Sequence, residues 1–336
     1  MIDTTTPLKG RRRAALTLAL VVPACAELSF GAIPLHMAWF VLPVLIPMYG
    51  AGVLLVRELV RRFKGGWPSL LLLGLAYELV EDGIGLQALS SPNLYRAAEW
   101  GPRVLGINTG YWEAQAGYHV VFSVLIPIML VDLLFPAHRD RPYLRRGGLI
   151  GVAVLAVLGV GMVRVTVPPS QDPGYQAPLV VIAGILLAVA VLAVLALRVL
   201  PGRTPSLAPV REVPRPAVSG LFALLATLAF LGLLIPAGDP PAFGEGAWSL
   251  VPMILAAVIA VAAGRHFLRW TVTEGWSDQH RIWAAGGALM SHSVVAVYVF
   301  AQTTFDRVGQ VVLAAITVLL LALLARSTAI TARRDG

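Results

Sequence analysis

Ten apolar stretches, each long enough to cross a bilayer as a helix, recur along this chain. A hydrocarbon core takes about 20 apolar residues per helix. On that template the spans are 14–34, 38–60, 66–89, 118–136, 147–166, 177–200, 218–236, 247–264, 282–301 and 308–325. In lipid every backbone N–H and C=O must be satisfied within the segment, so such stretches are read as helices. The expected fold is all-α, a polytopic transmembrane helix bundle of about ten spans. Orientation follows from basic residues, which gather in cytoplasmic loops. With the N-terminus inside, only Arg96, Arg103, Arg164 and Arg307 of the 26 Lys and Arg fall on or near the outer side. Both termini are then cytoplasmic, and the expected location is the bacterial inner membrane.

Composition excludes several classes. With 57% hydrophobic and 13% charged residues, this is not a soluble domain around a large core. The net charge of +8 would suggest nucleic acid in a soluble protein. Here it comes mainly from arginines between spans, so topology explains it and no nucleic-acid partner is expected. The one cysteine, Cys25, allows no disulfide within the chain and no multi-cysteine metal site. The opening MIDTTTPLKGRRR precedes an apolar run that no small-residue cleavage site closes, which reads as an uncleaved first helix. No phosphate loop, HExxH helix or GxSxG elbow is present. Lys9 and Lys64 both lie outside the spans, which excludes a retinal Schiff base, and no span repeats arginine like a voltage sensor. No cofactor or metal is expected.

Three parts are expected: residues 1–200, a membrane bundle carrying the polar site; 201–217, a Pro-rich basic cytoplasmic linker; and 218–336, a second bundle of mostly Leu, Ala and Val. Two further connections are long. Residues 90–117 form an outer loop rich in Tyr, Trp, Gly and Asn, expected to lie over the bundle as a lid. Residues 265–281 form an inner one, with Trp270 and Trp276 as interface anchors.

The chemistry concentrates in the third span, GWPSLLLLGLAYELVEDGIGLQAL, which holds Glu78, Glu81 and Asp82. Carboxylates are expensive at membrane depth and usually face a cavity. Spacings of three and four put all three on one side of a helix. Crowded in a low dielectric they cannot all be ionised, so at least one is expected to hold its proton. Glu81 and Asp82 lie about 21–23 Å along the axis from Trp67, in the outer half of the bilayer. The plainer reading is that Gly83 and Gly85 let the segment kink out into water. Glu27 in the first span and His119 in the fourth lie at similar depth. His119 is placed to pair with Glu81 or Asp82, although a lone membrane histidine more often just ties helices by a hydrogen bond. His292, between Ser291 and Ser293, has the same two readings. Tyr77, Trp100, Tyr111, Trp112 and Tyr118 are candidate faces for an apolar substrate. Glu58, among Arg57, Arg61 and Arg62, and Asp132, at the inner end of its span, are read as structural. Pro23, Pro43, Pro47 and Pro127 break backbone ladders in the first, second and fourth spans.

The runs YGAGVLLVRELVRR, GLAYELVEDG and YHVVFSVLIPIMLVDLLFP resemble a group of uncharacterised multi-pass proteins of high-GC bacteria, over residues 40–136. That resemblance implies no activity. The acids followed by His119 are also similar to the EExxxR and FxxxH motifs of CAAX-type intramembrane metalloproteases. Here Glu81-Asp82 replaces the Glu pair, Gln87 falls beside the Arg position, Gln115 stands in place of Phe, and a third motif is missing. In character, without a shared motif, the site is similar to integral membrane terpene cyclases, whose embedded acids protonate a prenyl chain. The leading expectation is an intramembrane enzyme using buried carboxyls as a general acid on a lipid or isoprenoid. The alternatives are a proton- or cation-coupled transporter of five-plus-five spans, an intramembrane metalloprotease, and a non-catalytic scaffold.

Overall fold

The computed structural model describes residues 10–202, 207–235 and 246–334. Lys9, Arg203 and the linker stretch 203–206 lie outside the described residues. Ten helical rods follow one another. They are α1 (Arg11–Pro23), α2 (Leu35–Arg62), α3 (Trp67–Glu78), α4 (Thr109–Leu134), α5 (Arg146–Gln171), α6 (Leu179–Val199), α7 (Pro216–Leu234), α8 (Ala247–Thr271), α9 (Asp278–Phe300) and α10 (Thr304–Arg334). Among the described residues eight helices, α2 and α4 to α10, are long and apolar enough to cross a membrane. Three arginines open α1, and three carboxylates sit in α3 and its continuation. The chain is thus a polytopic helical bundle. A two-stranded hairpin, β1 (Arg103–Val104) and β2 (Ile107–Asn108), is the small exception.

Two of the long connections are shorter than the hydropathy reading makes them. The outer loop stops at residue 108, because α4 starts at Thr109, so Tyr111 and Trp112 stand on a helix rather than in a loop. The stretch Thr109–Tyr118 is polar for a span, but it is packed within the protein: Gly110, Tyr111, Ala114 and Tyr118 are buried and none of its residues is exposed. The inner connection 265–281 shrinks to 272–277, since α8 runs on to Thr271 and Ser277 caps α9 reciprocally with His280. Hydropathy marks where lipid ends, not where a helix ends. Trp270 is correspondingly buried and stacks on Trp276, with ring centroids 6.3 Å apart.

Several rods widen locally into π-helical turns, in which the hydrogen bond closes five residues back instead of four. Ser29 N–H bonds Ala24 O, Ala51 N–H bonds Ile46 O, Leu86 N–H bonds Glu81 O, and Ile126 N–H bonds Val121 O. Four of these turns are Ala24–Leu28 after α1, Ile46–Gly50 within α2, Leu79–Gly85 after α3 and His119–Leu125 within α4; two more end α6, at Leu195–Val199, and α9, at Ala296–Phe300. Close approach also shapes this region. A Cβ on Gly50 would lie 2.4 Å from the Ala19 carbonyl oxygen, and one on Gly52 would lie 2.5 Å from the Tyr77 ring. Glycine there lets α1 and Tyr77 press against α2.

Two apolar clusters hold the bundle. One joins α1 to α6 around residues such as Leu18, Val53, Leu73, Val124 and Ile128. The other joins Phe30, Phe122 and Leu130 to Leu231, Ile282 and Leu289, packing α7 and α9 on the first part. The polar site lies where the two meet.

Candidate functional site

Four of the π turns, those of α1 to α4, each deliver a polar side chain to one place. Ala24–Leu28 carries Glu27, Ile46–Gly50 carries Tyr49, Leu79–Gly85 carries Glu81 and Asp82, and His119–Leu125 carries His119 and Ser123. Glu78, Glu81 and Asp82 are 0–1% exposed and His119 is 3% exposed. The His119 ring stands between two acids. Its Nδ1 is 3.5 Å from Glu81 Oε2 and its Nε2 is 3.3 Å from Asp82 Oδ2. Nδ1 also shares a 3.0 Å hydrogen bond with the Ser123 hydroxyl.

Aromatic side chains close round this core. Tyr111 donates its hydroxyl to Asp82 Oδ1 at 3.0 Å, and Trp112 donates its indole N–H to Glu78 Oε2 at 3.2 Å. Tyr49 donates to Glu27, lies with its ring parallel to His119 at 6.0 Å, and meets Tyr77 at 6.3 Å. The edge of Tyr118 meets His119 at 4.8 Å, and its hydroxyl donates to Ala26 O. Above them the loop covers Tyr111: Trp100 packs on it at 5.6 Å and Tyr95 stacks on it at 6.4 Å. That loop is fastened. Asn108 Nδ2 donates to the Ala88 and Ser91 carbonyls, and Asp172 accepts from the Ser91 hydroxyl and the Asn93 amide.

Much of the core's hydrogen-bonding capacity is unused. Both oxygens of Glu81, Asp82 Oδ2, Glu78 Oε1 and the Tyr77 hydroxyl are buried without a hydrogen bond. In a low dielectric an unmet charged oxygen is costly. Were Glu27, Glu78, Glu81 and Asp82 ionised and His119 protonated, the set would carry a charge of −3. Desolvation opposes that, so an arrangement of this kind can hold protons among its members.

The structure therefore brings together Glu78, Glu81, Asp82, His119, Tyr77, Tyr111, Trp112 and Tyr118. Glu27 joins through Tyr49, and Trp100 sits one layer out. His292 is set apart. It lies beyond Tyr118, stacked on Phe122 at 3.4 Å, with Nδ1 3.2 Å from the Ser29 hydroxyl and Nε2 unbonded. A cavity of about 150 Å³ lined by Gly31, His36, Phe300, Asp306 and Gln310 touches none of the acids. Sequence reasoning missed Tyr49. Its signal was a hydroxyl two residues after Pro47, in a span already marked as broken.

Glu58 and Asp132 belong to a second buried cluster at the arginine-rich end. Arg57, 0% exposed, donates to Asp132 Oδ1 at 2.7 Å and to the carbonyls of His138, Arg139 and Arg141, and its guanidinium lies 3.4 Å from the centroid of the Tyr143 ring. Arg61 takes Asp132 Oδ2 at 2.8 Å, and Tyr143 donates its hydroxyl to Asp132 Oδ1. Glu58 pairs with Arg62 at 3.3 Å, as the spacing of four suggests, and also accepts the backbone N–H groups of Tyr143 and Leu144.

No curated protein and no solved structure matches this chain. Residues 16–333 match the profile of an uncharacterized membrane protein family, and the chain belongs to that family.

Proposed function

We propose that this chain is an intramembrane enzyme in which the Glu81–Asp82–His119 set serves as general acid toward an apolar lipid or isoprenoid substrate. The observation that supports it is the imidazole held between two carboxylates whose free oxygens are enclosed by Tyr49, Tyr77, Tyr111 and Tyr118. An imidazole shared by two buried acids can pass a proton outward and recover it. Aromatic faces beside it stabilise developing positive charge by cation–π contact. Glu27, reached through Tyr49, is the reserve that reprotonates the set. The loop of residues 90–108, packed on Tyr111, is the element that moves to admit substrate. On this reading the chain lies in a bacterial cytoplasmic membrane with both termini inside, as its arginines direct.

A second reading, a proton-coupled carrier, draws on a different observation: four helices are interrupted by π turns at the level of the acids, and broken helices line the sites of many transporters. Against it, the acid-bearing breaks of the first part have no acidic counterpart in α7 to α10.

Turnover separates the two. Purified chain in detergent is incubated with a panel of polyprenyl substrates in the absence of any gradient. Conversion is expected, and Asp82→Asn or Glu81→Gln should abolish it while leaving the protein folded. Acid-driven solute uptake into proteoliposomes without conversion of any isoprenoid would establish the carrier instead.

A further inference from the structure

At the end of the bundle away from the acids, three segments bring arginines together: Arg11, Arg12 and Arg13 at the start of α1, Arg61 and Arg62 at the end of α2, and Arg141, Arg145 and Arg146 before α5. They are fixed in place from within. Arg11 donates to Pro142 O, Arg62 donates to Leu144 O at 2.6 Å, and Arg57 gathers the carbonyls of the same connection. The acids beneath them are occupied. Asp132 serves Arg57, Arg61 and Tyr143, and Glu58 serves Arg62 and two backbone N–H groups. Arg11 lies within electrostatic reach of Arg62, Arg141 and Arg145. The Nε–H groups of Arg11, Arg61 and Arg62 are buried without a hydrogen bond.

We infer that this arginine rim is a docking site for the phosphate of an anionic phospholipid headgroup. Guanidinium donors are planar forks that suit phosphate oxygens, and the exposed Arg12, Arg13, Arg145 and Arg146 present a surplus of positive charge that an oxyanion would meet. The neighbouring lipid-facing side chains fix its source. Leu16 and Leu20 on α1 are 66% and 59% exposed, and Ile150 on α5 is 66% exposed, so acyl chains run down the helices that carry the arginines. Basic pockets between membrane helices hold anionic headgroups in this way. The inference is independent of the chemistry proposed at the acids.

The test uses the full chain in a non-ionic detergent, titrated with dioleoylphosphatidylglycerol, dioleoylphosphatidylcholine or inorganic phosphate, with bound lipid counted by native mass spectrometry. Phosphatidylglycerol is expected to bind at least about tenfold more tightly than phosphatidylcholine. Arg11→Gln and the exposed Arg145→Gln should each weaken it about fivefold. Arg265→Gln, on α8, should leave it unchanged. Equal binding of the two lipids, or equal losses from Arg145→Gln and Arg265→Gln, overturns the site. Displacement of phosphatidylglycerol by equimolar inorganic phosphate assigns the rim to a free anion and overturns the lipid.

Discussion

Helices α2 and α4 each carry polar residues twice, near the middle and at the arginine-rich end, and the two resulting clusters are built in opposite ways. At the end, Asp132 and Glu58 meet guanidinium groups, a tyrosine hydroxyl and backbone N–H groups, so that every carboxylate oxygen is used. Near the middle, Tyr49, His119, Tyr111 and Trp112 face four carboxyls, three of which keep an oxygen with no hydrogen bond. Burial is similar in both. A cluster that meets its own needs fixes geometry; one that leaves acceptors unmet is kept at a cost in stability, as active sites are. The difference is what supports the proposal that the middle cluster is the working part of the molecule and the end cluster its anchor.

The comparison is sharpest where its predicted energies diverge. Arg57→Met takes the buried guanidinium from Asp132, leaving it Arg61 and Tyr143, and strips the donor from the carbonyls of His138, Arg139 and Arg141; it should cost about 3–5 kcal/mol, read as a large fall in thermal midpoint in detergent. Near-native stability would mean the end cluster is no anchor. Tyr49→Phe removes the donor to Glu27 and should cost about 1–3 kcal/mol by the same measurement. A larger loss than that of Arg57→Met would reverse the assignment of roles. Glu81→Gln, which puts a neutral amide of the same shape 3.5 Å from His119 Nδ1 and leaves Asp82 on the other ring nitrogen, should move stability by less than about 1 kcal/mol in either direction while abolishing the proposed activity. The smallest effect belongs to Asp172, outside the spans, whose carboxyl is held below its ordinary range by hydrogen bonds from Ser91 and Asn93. A lowered value means that its stabilisation is complete above the unfolded carboxylate range and is lost as pH falls through the folded value. Asp172→Asn should therefore flatten the acid limb of the stability profile slightly, and an unchanged acid limb would show that the loop is fastened by other contacts.

Much of this was legible in the residues. The bundle follows from apolar runs whose backbone has no other solution in lipid, and Glu78, Glu81 and Asp82 declared themselves by sitting inside one. Their pairing with His119 could be anticipated because depth along a span can be counted. Tyr49 could not be, since nothing in IPMYG says that the turn widens to aim the hydroxyl at Glu27. The start of α4 was hidden because its first two turns are shielded by protein, and hydropathy registers only exposure to lipid. The use of Glu58 by Tyr143 and Leu144, 85 and 86 residues away, is a tertiary fact that the local Arg62 pair concealed.

The widened turns in α2 and α4 have a consequence for what the chain can tolerate in length. In α2 the turn Ile46–Gly50 precedes Arg57, and in α4 the turn His119–Leu125 precedes Asp132. Each holds one residue more than an α-turn, so losing one residue inside it can be absorbed by reverting to an α-turn, whereas losing one from the regular helix beyond it rotates everything that follows by about 100°. In the second case Arg57 or Asp132 would swing out of line with its partner while Tyr49 or His119 stayed in place. The angular phase between the two clusters is thus written as the length of helix between them. Single-residue deletions between Ala51 and Arg57, or between Ile126 and Asp132, should be far more damaging than deletions inside the widened turns.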